Sequence, residues 1–310
     1  MKQLSWQTKQ QLLDEVIENG RELEAMKARN MKGEQTGEDI LIALRRFQND
    51  DGGFGNGLEA DFRLPDSSAL ATSVAFQTLI QWEEHPLALP IIERSITYLE
   101  DHFDEARRGW YAVPPKVNDY PHAFWWHVHE DGRSFIDHHW GNPSAELIGY
   151  LYQYRSFTRR LNVDQLVKDA LEHLDGLEKF ESEHEIYCYQ RLFKLHPDLE
   201  TPRLADKITH AVQELVHEDQ TKWKEYVPQP LSFVHHPDEQ DYDISHEAIE
   251  TNLDMLVDVL KDGKLREPNW AWGDHYPDAW QAAKQEWEGV LTLEALTLLD
   301  HFNRIDSPKL

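Results

Sequence analysis

Carboxylates, imidazoles and indoles crowd the stretches between the apolar helical runs of this chain. Glu59 and Asp61 stand two residues apart in one such stretch, and Asp241 and Asp243 flank Tyr242 just before a helical run in another. With Asp137 and Asp274 they form a pool of acids suited to general acid–base work wherever burial separates their pKa values. The neighbouring indoles, Trp125, Trp126 and Trp140 in one loop and Trp270 and Trp272 in a later one, offer flat stacking surfaces with a polar edge. His139, Asp274 and His275 complete the candidate ligand-binding set. Chemistry of this kind would bind a small-molecule or oligosaccharide ligand and move a proton at one or two carboxylates. The alternative reading is that the aromatics pack long loops into small cores of their own.

The same loops carry groups of metal-ligand type. They are His127, His129, His138 and His139 with Glu130 and Asp137, then His235 and His236 with Asp238 and Asp241, and Asp274 and His275 with Asp278. Zinc requires three or four ligands converging at ~2.0–2.3 Å, and spacing does not show convergence. Tandem loop histidines are commonly just exposed polar residues, so no cofactor is expected and a divalent metal is the lesser alternative. Gly52-Gly53-Phe54-Gly55-Asn56-Gly57 is glycine-rich, but it follows a helix where a nucleotide-binding loop would follow a strand, and reads as a turn.

Composition narrows the partners. The 310 residues carry a formal net charge of −26, which argues against nucleic-acid backbones and anionic membranes. No apolar run approaches the ~20 residues of a membrane span. The start of the chain lacks the apolar core of a signal peptide, and the single cysteine, Cys188, has no partner for an internal disulfide. These features predict a cytoplasmic protein. The oligomeric state is left open.

The elements that must position the loops are helices. Apolar residues recur at three-to-four spacing from Gln7 to about Lys27, then through Glu38–Gln48, Ser68–Trp82 and Leu89–Phe103. Asn142-Pro143 predicts an asparagine cap with proline at the first helical position, opening a helix to about Arg155. Asn162…Gln165 and Ser182…Glu185 have capping-box spacing and open helices over Val163–Phe180 and Glu183–Leu195. Further helices are predicted from Pro202 to about His217, over His246–Leu260, and over Trp287–Phe302. Asp66 or Ser67 is expected to cap the third helix. With about ten helices, no period-two strand and no linker, the chain reads as an all-α single domain over residues 1–310, with residues 1–30 as an N-terminal helix packed on it.

One pattern recurs at helix ends. An apolar pair, three spacers, Gln or an aromatic, a short gap and an aromatic occur at Ala43-Leu44…Gln48…Gly52-Gly53-Phe54, Tyr98-Leu99…Phe103…Gly109-Trp110, and Leu215-Val216…Gln220…Trp223. A repeated helical unit that cannot bury its face alone implies a closed or stacked array. The pattern resembles the QW motif of the terpenoid cyclase and protein prenyltransferase superfamily. Phe54 replaces the expected Trp in the sharpest copy, the second copy lacks the Gln, and the third lacks the Gly.

The resemblance implies an α/α toroid of ten to twelve helices, with inner helices around a central cavity and outer helices surrounding them. It also implies acid catalysis by an Asp, with Asp243 at the position of the class II cyclase acid. There Ile244 and Ser245-His246 depart from that motif, and a plain helix cap is the alternative. The prenyltransferase zinc ligands are not matched, because Ile186-Tyr187 precede Cys188 without the required Asp. Two other expectations stay open beside a cyclase- or transferase-like enzyme: a glycan-active (α/α) barrel using two carboxylates, and a non-catalytic binding or scaffold protein.

Overall fold

The structure is a computed structural model that describes residues 1–307. Among the described residues it contains eleven α-helices and seven short 3-10 turns, with isolated β-bridges and no strand, so the fold is all-α as the helical periodicity predicts. The chain groups into two compact units. One comprises Met1–Ala43, Val212–Ala271 and residues 280–307, and the other Leu44–Ala211 and Trp272–Ala279.

The first unit holds α1 (Trp6–Asn19), α2 (Glu22–Met31), α10 (His246–Leu260) and the greater part of α3 (Gly37–Arg45) and α11 (Pro277–His301). Leu12, Leu13 and Val16 of α1 pack with Leu253, Leu256 and Leu260 of α10 and with Leu296 and Leu299 of α11. The single N-terminal helix expected from periodicity is two helices. Ser5 caps α1 by accepting from the Thr8 amide, and the helix stops at Gly20, where a Cβ would lie 2.6 Å from the Val16 carbonyl oxygen. Arg304, 1% exposed, ties both chain ends to α10 by donating to Asp254 at 2.8 Å, Glu250 at 2.6 Å and the Lys2 carbonyl at 2.9 Å. The helix expected from Trp287 begins ten residues earlier, at Pro277, because proline at a first helical position lacks only an amide that has no intrahelical partner there.

The second unit holds α4 (Ala69–Leu79), α5 (Ala88–Asp101), α6 (Gly141–Gln153), α7 (Val163–Gly176), α8 (Glu183–Leu195) and most of α9 (Pro202–Leu215). Helices α4 and α6 are buried on nearly every face, whereas α5 and α7 bury one stripe. The cap of α4 is Ser68, whose Oγ accepts from the Ala71 amide, rather than Asp66 or Ser67. Helix α7 ends at Gly176, four residues short of the expected Phe180.

At the first of the repeated patterns, Gln48 Nε2 donates to the Gly52 carbonyl at 2.9 Å and the Ile91 carbonyl at 3.1 Å. Phe54 is fully buried, and its amide donates to Thr72 Oγ1 at 3.1 Å, so the loop is fastened to both α5 and α4. At the second, the buried Trp110 donates its indole N–H to Leu99 in the last turn of α5 at 2.8 Å, while its amide donates to Ser144 of α6 at 3.1 Å. In both copies the loop is bonded to α5 and to a buried helix, α4 in the first and α6 in the second. At the third, in the first unit, Trp223 Nε1 donates to the His217 carbonyl at 2.6 Å.

Gly52 shows how closely the first loop approaches its neighbour. Its φ is +94°, and a Cβ there would lie 2.3 Å from the Arg94 carbonyl oxygen of α5. Gly132 has a similar φ of +81° but nothing within 4 Å of the equivalent point. Gly132→Ala is therefore expected to cost about 1 kcal/mol through left-handed strain alone, and Gly52→Ala on the order of 3 kcal/mol or more. Urea unfolding midpoints of the two variants measure the difference, and equal midpoints would refute the close-packed clasp.

Candidate functional site

A cleft of about 300 Å³ opens in the second unit at the N-terminal ends of α6 and α8. His138, His139 and Trp140 line one side, His173 and Leu177 from the end of α7 another, and Glu178, Lys179 and Glu181 the connection to α8. Glu185, from the first turns of α8, forms its buried floor.

The polar centre of the cleft is Glu185. Its Oε1 accepts from the Gly141 amide at 2.6 Å and lies 3.1 Å from His173 Nε2. The capping box expected at Ser182…Glu185 is thus half formed. Ser182 Oγ accepts from the Glu185 amide at 3.4 Å, but the Glu185 carboxylate turns away to α6 and α7. Gly141 permits this approach, since a Cβ there would lie 2.8 Å from Glu185 Cγ and 2.9 Å from the Tyr189 ring. His173 in turn lies against Trp140, with ring centroids 4.8 Å apart. A carboxylate bonded to one imidazole nitrogen leaves the other nitrogen as a proton donor or acceptor, the arrangement of a general acid–base pair.

The loop from Asp104 to Trp140 is built to hold one wall. Asp137 is buried and accepts from the Ala112 amide at 2.8 Å, the Ser134 amide at 2.8 Å and Ser134 Oγ at 2.7 Å. Arg107 spans the loop, donating to the Trp110 carbonyl at 3.0 Å and the Asp137 carbonyl at 2.9 Å with its guanidinium over the Tyr111 ring. Burial pulls the Arg107 pKa below its ordinary value, against the opposing pull of Asp137. Trp140 donates its indole N–H to the Arg107 carbonyl at 3.0 Å, which fixes the ring at the cleft edge.

Behind the cleft a second polar seam joins the buried helices. Arg191 of α8 pairs with the buried Glu146 of α6, which also accepts from Gln77 of α4 at 3.4 Å. Desolvation lowers the Arg191 pKa, but Glu146, Cys188 and Tyr150 together outweigh that and leave it raised. Cys188 Sγ lies 3.6 Å from Arg191 Nη2 and 3.8 Å from Asn142 Oδ1, and burial pushes its thiol pKa well up, so it is a core residue and no nucleophile. Asn142 spends its side-chain oxygen on this contact. It does not cap α6, although its extended ψ of 107° is that of a residue preceding a regular helix.

Of the candidate catalytic and ligand-binding residues named from sequence, His139 and Trp140 line the cleft and the others do not, while His138, named there among the groups of metal-ligand type, lines it too. Asp241 and Asp243 lie in the first unit, both exposed, with the Asp243 amide donating to Asp241 Oδ1 at 3.0 Å. Asp243 has a φ of +59° and lies in a surface turn. Glu59 and Asp61 are buried braces. Asp61 Oδ1 accepts from Trp272 Nε1 at 2.8 Å, its carbonyl accepts from the Ala123 amide at 2.8 Å, and Glu59 Oε1 accepts from the Asp61 amide at 3.2 Å.

The remaining indoles also pack. Trp272 is fully buried, Trp126 stands edge-on to Phe62, Trp125 to Phe124, and Trp270 packs between Tyr226 and Trp287 in the first unit. Asp274 and His275 are exposed. His173 and Glu185 were not reached from sequence, because each lies within a helical run whose local pattern already accounts for it.

No protein-family model matches the chain, and no curated protein or solved structure matches it either.

Glu185 is expected to anchor the start of α6 as well as to face the cleft. Glu185→Ala leaves the Gly141 amide without its acceptor and should cost on the order of 1–3 kcal/mol, whereas Glu185→Gln keeps an oxygen there and should cost less than half as much. Chemical denaturation of both variants measures this. Equal losses would show that the carboxylate does not hold the Gly141 amide.

Proposed function

We propose that this chain is an enzyme that cleaves glycosidic bonds in a hydroxyl-rich, oligosaccharide-like ligand, using the Glu185–His173 pair for proton transfer. The observation that carries the reading is the character of the cleft. Imidazoles, carboxylates and one ammonium line it together with Trp140 and Leu177. A sugar ring presents an apolar face to stack on an indole and hydroxyls to bond to polar walls. The exposed Asp243 lies outside this cleft, so the acid that the cyclase resemblance implies does not enter the reading. Within the proposal, Glu185 with His173 takes or gives the proton at the glycosidic oxygen or at the attacking water. A rim carboxylate, Glu178 or Glu181, serves as its partner.

The proposal includes the α/α-toroid arrangement that the QW-like pattern implies. Pairs Gly141–Glu185, Asn142–Cys188, Glu146–Arg191 and Gly149–His196 run in the same sense along both helices, so α6 and α8 lie parallel, joined through the one-sided α7. Alternation of buried parallel helices with amphipathic ones is the order such an arrangement requires.

The test is reducing-end release from a panel of neutral and acidic oligosaccharides by the full chain. Wild type should turn over at least one member. Glu185→Gln should lower kcat by roughly 10²–10⁴-fold, the usual worth of a general acid or base, and Trp140→Ala should act mainly on KM. Turnover of an isoprenoid diphosphate with none of any saccharide, or a Glu185→Gln enzyme as fast as wild type, would overturn the reading.

A further inference from the structure

Three histidines lie together in the second unit, apart from the cleft's lining: His122, His127 and His129. His122 Nδ1 is 2.6 Å from the Tyr120 carbonyl oxygen, to which it donates, so its Nε2 carries the lone pair. That Nε2 stands 3.4 Å from His127 Nδ1. An N–H donor ordinarily approaches its acceptor to ~2.7–3.2 Å, so the pair is long for a hydrogen bond. Two imidazole nitrogens on one tetrahedral ion, each ~2.0–2.1 Å from it, would be about 3.3–3.4 Å apart.

The backbone is arranged to present the third ring on the same side. His127 is extended, with φ −61° and ψ 124°, and residues two apart on extended backbone face the same way. The His127 and His129 ring centroids are 5.2 Å apart, and those of His122 and His127 are 5.6 Å apart. Val128 between them is held at two points by Asn118, which accepts from its amide at 2.9 Å and donates to its carbonyl at 2.7 Å. His122 is buried, its neighbour Ala123 is pinned to Asp61, and the Tyr276 ring lies 5.8 Å from the His122 ring.

We propose that His122 Nε2, His127 Nδ1 and the imidazole of His129 bind a divalent transition-metal ion of the zinc type, with water in the fourth position. Imidazole donors suit zinc, nickel and copper rather than magnesium or calcium. The carbonyl that receives the His122 Nδ1 proton is the second-sphere partner that fixes the tautomer of a ligating histidine. Among the described residues no three His, Cys, Asp or Glu already converge on one point. His129 therefore closes the set by turning its exposed side chain. The ion would fasten the His127–His129 segment to the buried His122.

Calorimetric titration of the chelator-stripped full chain with Zn²⁺, and the visible absorption of its Co²⁺ form, test the site. One ion per chain is expected, with a tetrahedral Co²⁺ spectrum. His127→Ala and His129→Ala change exposed side chains, and each should weaken binding at least about tenfold, with unaltered circular dichroism. His85→Gln should leave binding unchanged. Absence of saturable binding to wild type, or equal affinity in wild type and the His127→Ala variant, would overturn the proposal.

Discussion

The hydrogen bond from the Gly141 amide to Glu185, at 2.6 Å, is the contact on which the second unit's cleft depends. It satisfies a backbone donor at the start of α6 that has no intrahelical acceptor, and it does so with a charged oxygen, the stronger kind of partner. It also brings the first turn of α8 against the Trp140–Gly141 corner, so the indole, the His173 ring and the carboxylate share one small volume. A side chain at position 141 would separate the two helices. The cleft is therefore a consequence of a missing Cβ as much as of the polar groups that line it.

The other buried acids show what that arrangement is not. Asp61 and Asp137 each have their oxygens directed at nearby loop donors, the Trp272 indole for one and the Ala112 and Ser134 amides for the other. Long irregular segments carry many backbone polar groups with no ladder to satisfy them. A carboxylate accepting several of these is an efficient way to bury such a segment. The indoles follow the same logic: Trp110, Trp140, Trp223 and Trp272 each donate a ring N–H to a fixed acceptor and fill space with the rest. Most of the loop aromatics and acids that resemble catalytic equipment are thus the means by which the loops are held. Glu185 differs in facing a cleft.

This explains which features could be read from the sequence. The helical class and several helix bodies follow from apolar spacing, a local property, and His246–Leu260 is found where its periodicity places it. The joints at Gln48–Phe54 and Trp110 were readable as a pattern because their parts lie close in the chain. The role of Glu185 was not, since its partner Gly141 is 44 positions away and its spacing from Ser182 suits a local cap. The exposure of Asp243 was not readable for the converse reason: an acid before a helix has the same local signature whether it is exposed or enclosed. Pro277 likewise marks the start of α11 within a segment whose aromatics suggest a loop.

The polar seam between α6 and α8 adds a constraint that hydrophobic packing alone would lack. A buried ion pair such as Arg191–Glu146 is weak evidence for stability, because desolvation of both charges offsets much of their attraction. It can nevertheless select one register. Sliding α8 by one turn, about 5.4 Å, would exchange apolar contacts for other apolar contacts at modest cost. The same slide would separate Glu185 from Gly141, Arg191 from Glu146, and His196 from the Gly149 carbonyl it meets at 3.0 Å. Leaving a buried carboxylate such as Glu146 unpaired is far more costly than misplacing a methyl group. The seam therefore sets the axial position of α8, and with it the depth at which Glu185 meets His173 beneath Trp140.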